Sequence, residues 1–279
     1  FVDGNKEYLT EKQILDDGPV LIDIDLRYEK NVTTKQHTKD HIVDLIMVYA
    51  EKCSMILNIE ENAEIDVFVM EKKNVNQLEN KTKDGIHIIM GIAMHKAAQL
   101  FMREKVLEEI GSLWDDLPIT NTWEDVLDEG VTKGFVNWQL YGSRKPNHDA
   151  YVVTQLLIIK KKTLGWSTSE ENLNNFDMGE NIYKLSARCK SYPIYKVREE
   201  MEDTIEDNKK HLSKNKSSAK PLRKSISVEN LKMNDIKNQQ VLDDLLEDIF
   251  EDPETDHSIK EVHDFTMALP NQYYGPGSF

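Results

Sequence analysis

The sequence predicts an α+β fold, a largely antiparallel sheet backed by helices. Three observations carry that prediction. Residues 20–28 alternate apolar and polar as a half-buried strand does. Two stretches, 35–58 and 92–110, repeat apolar residues at helical spacing. The remaining strand candidates follow one another as hairpin-like neighbours, which favours antiparallel pairing.

In the first strand, Val20, Ile22, Ile24 and Leu26 point one way and Asp23, Asp25 and Arg27 the other. Side chains alternate across a strand, so the two carboxylates share a face about 7 Å apart at Cα. The helix over 35–58 takes its apolar stripe from Ile42, Leu45, Ile46, Tyr49 and Met55 or Ile56. A strand follows at 64–70. The stretch 71–85 is polar and ends in Lys83-Asp84-Gly85, a turn signal. Another strand covers 86–90, and a second helix covers 92–110. Leu117-Pro118 breaks that pattern, and Thr122 caps a short turn containing Trp123 to Leu127. Val136 to Tyr141 reads as a strand running into Gly142-Ser143-Arg144-Lys145-Pro146, and Tyr151 to Ile159 as a further strand.

Composition divides the chain into a folded module at 1–165, a helical extension at 166–207, a basic flexible linker at 208–240 and an acidic amphipathic helix at 241–256. The linker carries seven Lys or Arg and no acid between Asn208 and Val228. The acidic helix carries eight Asp or Glu and no base, with Val241, Leu242, Leu245, Leu246, Ile249 and Phe250 at helical spacing. It is a candidate contact for replication proteins or for the basic linker. The sequence opens at Phe1 without an initiator Met and stops in an aromatic, turn-rich run, so it reads as a piece of a longer protein.

The formal net charge of -15 argues against a protein that coats nucleic acid through a basic surface. A carboxylate-rich polymerising site with a local basic groove stays open. Cys53 and Cys189 form no CxxC pair, so neither a cysteine zinc site nor a disulfide scaffold is expected, which fits a reducing, intracellular compartment. No apolar run is long enough to span a bilayer, and no membrane partner is expected.

Three elements could carry chemistry. Asp23 and Asp25 on one strand face are suited to divalent cations, because Mg²⁺ takes carboxylate, water and phosphate oxygens. Phosphoryl transfer uses two such ions roughly 3.5–4 Å apart. Alone, the pair equally describes a solvent-facing strand, although two close like charges repel and a cation relieves that. His87 lies opposite Ile86, Ile88 and Met90 on its strand. A lone His there is more often structural, and its functional reading is a donor to a phosphate or sugar. The third element is Asp128, followed by Tyr141-Gly142-Ser143-Arg144-Lys145. Gly142 allows close backbone approach, and Ser143 and Lys145 suit phosphate oxygens.

In this order and spacing the three elements resemble the archaeo-eukaryotic primase superfamily, specifically the primase–helicases of nucleo-cytoplasmic large DNA viruses such as giant viruses and African swine fever virus. The shared pattern is an Asp-x-Asp strand (Asp23, Asp25), a Gly-x-His strand (Gly85, His87), and an Asp (Asp128) ahead of a strand ending Tyr-Gly-Ser-x-Lys (Tyr141 to Lys145). Tyr151 to Thr154 resembles the family's next strand. Residues 257–279 resemble the opening of the primase C-terminal domain.

The resemblance implies a sheet like that of an RNA-recognition motif. It implies catalytic metals, two Mg²⁺ or Mn²⁺, on Asp23, Asp25 and Asp128, and a triphosphate held by His87, Ser143 and Lys145. The implied partners are a single-stranded DNA template, nucleoside triphosphates and a helicase domain of the same polypeptide. The implied reaction is template-directed primer synthesis. Asp125 and Glu129 compete with Asp128 for the third carboxylate. Trp138-Gln139 stands where the family often has an Arg, and Arg144 is a candidate substitute.

Two other functions use the same residues. A metal-dependent nuclease needs the carboxylates but no triphosphate ligands. A non-catalytic DNA-binding or scaffolding module keeps the fold without chemistry. Among other residues, His95, Trp114, Trp123 and Trp138 read as packing groups, His148 as a turn cap near the site, and Lys160 to Lys162 as a solvated strand end or a template contact.

Overall fold

The structure is a computed structural model that describes residues 8–145 and 148–215. The linker beyond residue 215, the acidic helix expected at 241–256 and the segment 257–279 lie outside the described residues. In chain order the elements are β1 (Thr10–Glu11), β2 (Gly18–Glu29), α1 (Lys39–Ile56), β3 (Glu64–Glu71), β4 (Asn76–Gln77), β5 (Lys81–Met94) and α2 (Lys96–Leu113). After these come α3 (Trp123–Val126), β6 (Leu127–Asp128), α4 (Gly130–Lys133), β7 (Trp138–Gln139), β8 (Val152–Lys161), β9 (Trp166–Glu171), α5 (Met178–Asn181) and α6 (Glu199–Asn215).

The main sheet runs β6-β2-β5-β3-β8-β9, with every neighbouring pair antiparallel. The run β2-α1-β3-β5-α2-β6 brings the late strand β6 beside the early strand β2. That is the split βαβ arrangement, and it is α+β as the sequence predicts. One face of the sheet is covered by α1 and α2. Val20, Ile22, Ile24, Leu26 and Tyr28 of β2 point into this core and are almost wholly buried. They meet Ile42, Leu45, Ile46, Tyr49, Cys53 and Ile56, the apolar stripe of α1. Each such side chain contributes roughly 1.5–3 kcal/mol by leaving water. Thr38 caps α1: its hydroxyl accepts from the His41 N–H, and the His41 ring accepts from the Thr38 N–H. The opposite face holds a smaller apolar cluster including Leu21, Phe68, Met70, Ile89, Trp138, Tyr151 and Leu185. That face carries Asp23 and Asp25.

Several expected boundaries shift. The strand expected at 86–90 runs from Lys81 to Met94, because its two ends pair with Glu29 and Gly18 of β2. These distant partners leave no trace in local periodicity. α2 therefore starts at Lys96, and His95 is its N-cap, its ring accepting from the Ala97 N–H. The strand expected at 136–141 shrinks to β7, which pairs with β1 in a separate two-stranded sheet.

The extension expected to be helical from 166 begins instead as β9, which pairs with β8, so residue 165 is not a structural boundary. Helix α6 runs past 208, where the flexible linker was expected to begin. Ile205 is buried in the main core, Leu212 packs against it, and Glu206–Lys209 and Asp207–Lys210 pair along the helix. Cys53 and Cys189 are buried free thiols. Among the described residues no helix is long and apolar enough to cross a membrane.

Candidate active site

The site is laid out on strand register. Asp128, Asp23, His87 and Met70 stand side by side across β6, β2, β5 and β3. The next row on the same face pairs Asp25 with Gly85. Lys72 extends β3 two residues beyond Met70 and so falls on the same face as His87.

His87 is gripped from both sides. Its ring stacks on Tyr151, centroids 3.6 Å apart and 16° from parallel, and lies 4.2 Å from the Trp138 ring. Its Nε2 is 3.4 Å from Asp23 Oδ1. Gly85 is what allows this stack: a Cβ there would sit 2.3 Å from the Tyr151 hydroxyl oxygen. The spacing Gly-x-His therefore supplies a gap for Tyr151 and, one pleat on, the ring it stacks against.

Asp128 is positioned from outside the sheet. Arg103 of α2 donates to the carbonyls of Leu127 (2.6 Å) and Glu124 (2.8 Å) and pairs with Glu129 at 3.4 Å. The Gly130 N–H donates to Asp128 Oδ1 at 2.5 Å. Asp25 is held by Arg27 at 3.2 Å, and Arg27 also reaches Asp125 at 4.0 Å. So of the three acids in the 125–129 loop, Asp128 lies in the carboxylate row, while Asp125 and Glu129 pair with arginines.

Gly142 takes a left-handed φ of 78° at the turn. The Ser143 side chain is fully buried, and its Oγ accepts from the Leu9 N–H at 2.7 Å; Gln139 donates to the Ser143 carbonyl at 2.6 Å. Ser143 thus ties the turn to the segment ahead of β1. Lys145 follows the turn and acts electrostatically on Asp23, His87 and Lys72. Lys160 pairs with Glu64, and Lys161 lies over Trp166, so this basic run is engaged at the far end of β8.

The charges are strongly coupled. Burial, then Asp128 and then Asp25 push the Asp23 carboxyl well above its ordinary range, against the pull of Lys72 and Lys145. Burial and the same two lysines hold His87 well below the ordinary histidine value, so the ring is neutral at pH 7. Lys72 is pushed down to about 8, first by burial and then by Lys145. Burial and the aspartates keep the Tyr151 phenol protonated.

Sequence reasoning missed Lys72, Arg103 and the ring stack. Extending the alternation of the 64–70 strand by one more pair would have placed Lys72 on the His87 face. Arg103 gave no signal, because only the tertiary fold brings it to residues 124–129.

Among the described residues, no three His, Cys, Asp or Glu side chains already converge as a finished cage for a cation. The donor chemistry nonetheless fits a divalent ion. Asp23 and Asp128 are register partners, Asp25 is one pleat away, and both neighbours raise the energy of the Asp23 carboxylate in a way that bound positive charge offsets.

Comparison with known proteins identifies the family. The family model described as the C962R protein N-terminal AEP domain matches residues 1–157. A protein of Acanthamoeba polyphaga mimivirus, provisionally named as helicase L207/L206, is 31% identical over 154 residues. That match takes in 54% of this chain but 16% of the relative, so the chain spans a small part of the relative's length. Both rows of the sheet, the Ser143 turn and Tyr151 lie inside the matched span, and the chain belongs to the archaeo-eukaryotic primase (AEP) family, in its C962R type.

Proposed function

We propose that this domain is the catalytic module of a viral primase–helicase, joining nucleoside triphosphates into a primer on a single-stranded DNA template. The observation that carries the reading is the charge layout. Three carboxylates, Asp23, Asp25 and Asp128, stand on β2 and β6, and two lysines, Lys72 and Lys145, are close enough to act on the central one, Asp23. A nuclease has use for the acids alone. A nucleotidyltransferase also needs cations for the triphosphate, and this site has both.

In this reading Asp23, Asp25 and Asp128 hold Mg²⁺ or Mn²⁺. Bound there, such ions would supply activation of a 3′-hydroxyl and neutralisation of phosphate charge. Arg103 keeps the Asp128 loop against β2, and Arg27 orients Asp25. His87, neutral and clamped by Trp138 and Tyr151, presents a ring nitrogen to the nucleotide. Ser143 contributes through the turn it anchors, which delivers Lys145 to the phosphates. The helicase portion is proposed on the name of the mimivirus relative, and it would lie in the same polypeptide.

The test supplies labelled nucleotides, Mn²⁺ and a single-stranded template. Wild type is expected to extend oligomers and Asp23→Ala to make none. Full activity in Asp23→Ala, or no product from folded, nucleotide-binding wild type joined to its helicase portion, refutes the reading.

A further inference from the structure

We propose that Lys72 is a phosphate-binding cation of this site, acting with Lys145 on the triphosphate of the incoming nucleotide. This rests on the nucleotidyl-transfer reading and adds to it a residue outside the Asp-x-Asp, Gly-x-His and Gly-Ser-x-Lys motifs.

A lysine at a strand end usually runs its stem along the surface and its ammonium into water. Lys72 does not. It is half-buried, with Nζ 4.8 Å above the Tyr151 ring, the same ring that stacks on His87. It makes no ion pair among the described residues, although carboxylates and a second lysine are near enough to influence it. Lys72 and Lys145 are close enough to repel each other. An anion between them turns that repulsion into binding.

The spacing suits a phosphate chain. Asp25 pairs with Gly85, and Lys72 directly follows Glu71, the partner of Ile86, so continuing the register sets Asp25 and Lys72 on either side of Gly85, two strand spacings or roughly 10 Å apart at Cα. The floor between them has no side chain at Gly85. Phosphate oxygens lying over it would have the carboxylate row on one side and the Lys72 ammonium on the other.

The rest of the fold fixes Lys72 in place. Its neighbour Glu71 points to the helix side of the sheet. There it accepts from Lys35 (2.6 Å) and Thr154 (2.6 Å) and bonds to the buried His37 (2.8 Å). This buried network lies outside the reaction described above, yet it pins the end of β3 to the 30–38 loop and to β8. The backbone that carries Lys72 cannot shift without breaking it.

The experiment is calorimetric titration of the full 279-residue chain with Mn²⁺·ATP and with Mn²⁺·tripolyphosphate. Lys72→Met and Lys72→Gln are expected to weaken both ligands by about 10- to 100-fold, the loss of one charge-assisted contact. Lys72→Arg is expected to restore most of the affinity, and the thermal midpoint of all three variants to stay at or above that of wild type. If wild type binds ATP and the Met and Gln variants bind it equally well, this inference falls and the proposed function stands. If folded wild type binds neither probe, both fall. A fall in midpoint with unchanged affinity assigns Lys72 a structural role and also overturns the inference.

Discussion

Gly85→Ala places one methyl group where the site has none. The new carbon lies 2.3 Å from the Tyr151 hydroxyl oxygen, while the next atoms, Tyr151 Cζ at 3.4 Å and the Ile24 carbonyl oxygen at 3.7 Å, are in ordinary contact. The clash is therefore with a single oxygen. That oxygen ends a ring that cannot swing aside freely, because the ring stacks on His87 and is buried among Leu21, Met70 and Trp138. Overpacking costs about 1–3 kcal/mol, and loss of the stack adds roughly 0.5–1.5 kcal/mol. At about 2–4 °C per kcal/mol for a folded region of this size, the midpoint falls by roughly 3–18 °C. Thermal unfolding followed by circular dichroism measures it directly. Tyr151→Phe removes the one clashing atom, so the double variant Gly85→Ala/Tyr151→Phe should recover most of the loss. A Gly85→Ala protein as stable as wild type refutes the reasoning, and so does a double variant no more stable than Gly85→Ala alone.

Asp23→Asn should stabilise the metal-free protein at neutral pH while ending primer synthesis. A carboxyl whose folded value lies above its unfolded one contributes most at low pH and loses that contribution as pH rises through the folded value. The variant's midpoint should therefore change less with pH than that of wild type, and Mn²⁺ should raise the midpoint of wild type alone. Arg103→Met removes two carbonyl contacts and an ion pair from the Asp128 loop. It should cost roughly 2–4 kcal/mol in a denaturant titration, with loss of activity even where the protein remains folded. Burial pushes Glu71 up, but hydrogen bonds from His37, Lys35 and Thr154 outweigh it and hold it at about 2, below the ordinary 4.5. Its contribution, on the order of 3 kcal/mol, is whole above the ordinary carboxylate range and drains away as pH falls toward 2. Glu71→Gln should show a smaller loss over that acid window, which acid unfolding curves will read.

The parts of this fold legible in the sequence are those fixed by local alternation. Val20 to Leu26 announce a strand because every second residue enters one core, and the same pleat puts Asp23 and Asp25 together. Ile42, Leu45, Ile46 and Tyr49 announce α1 for the corresponding reason at helical period. What could not be read was set by pairing at a distance. The ends of β5 exist because residues 18–29 lie beside them, and β7 is short because β1 offers it two partners.

The site divides in the same way. The motif spacing gave the carboxylates, the imidazole and the turn. It did not show that the Ser143 hydroxyl also accepts from the Leu9 N–H and so ties the turn to the segment ahead of β1. The grip on His87, the Arg103 brace and the approach of Lys72 depend on which strands lie side by side.

The register of Asp128, Asp23 and His87 has a consequence for how this domain can diverge. The distances between these groups are those of the backbone lattice, fixed by strand spacing and not by the side chains themselves. Replacing one acid leaves every other coordinate of the lattice where it was. Chemistry can therefore be erased, or rewritten with other residues, while the sheet platform itself persists. A relative that has lost its acids should still fold and still present the same face.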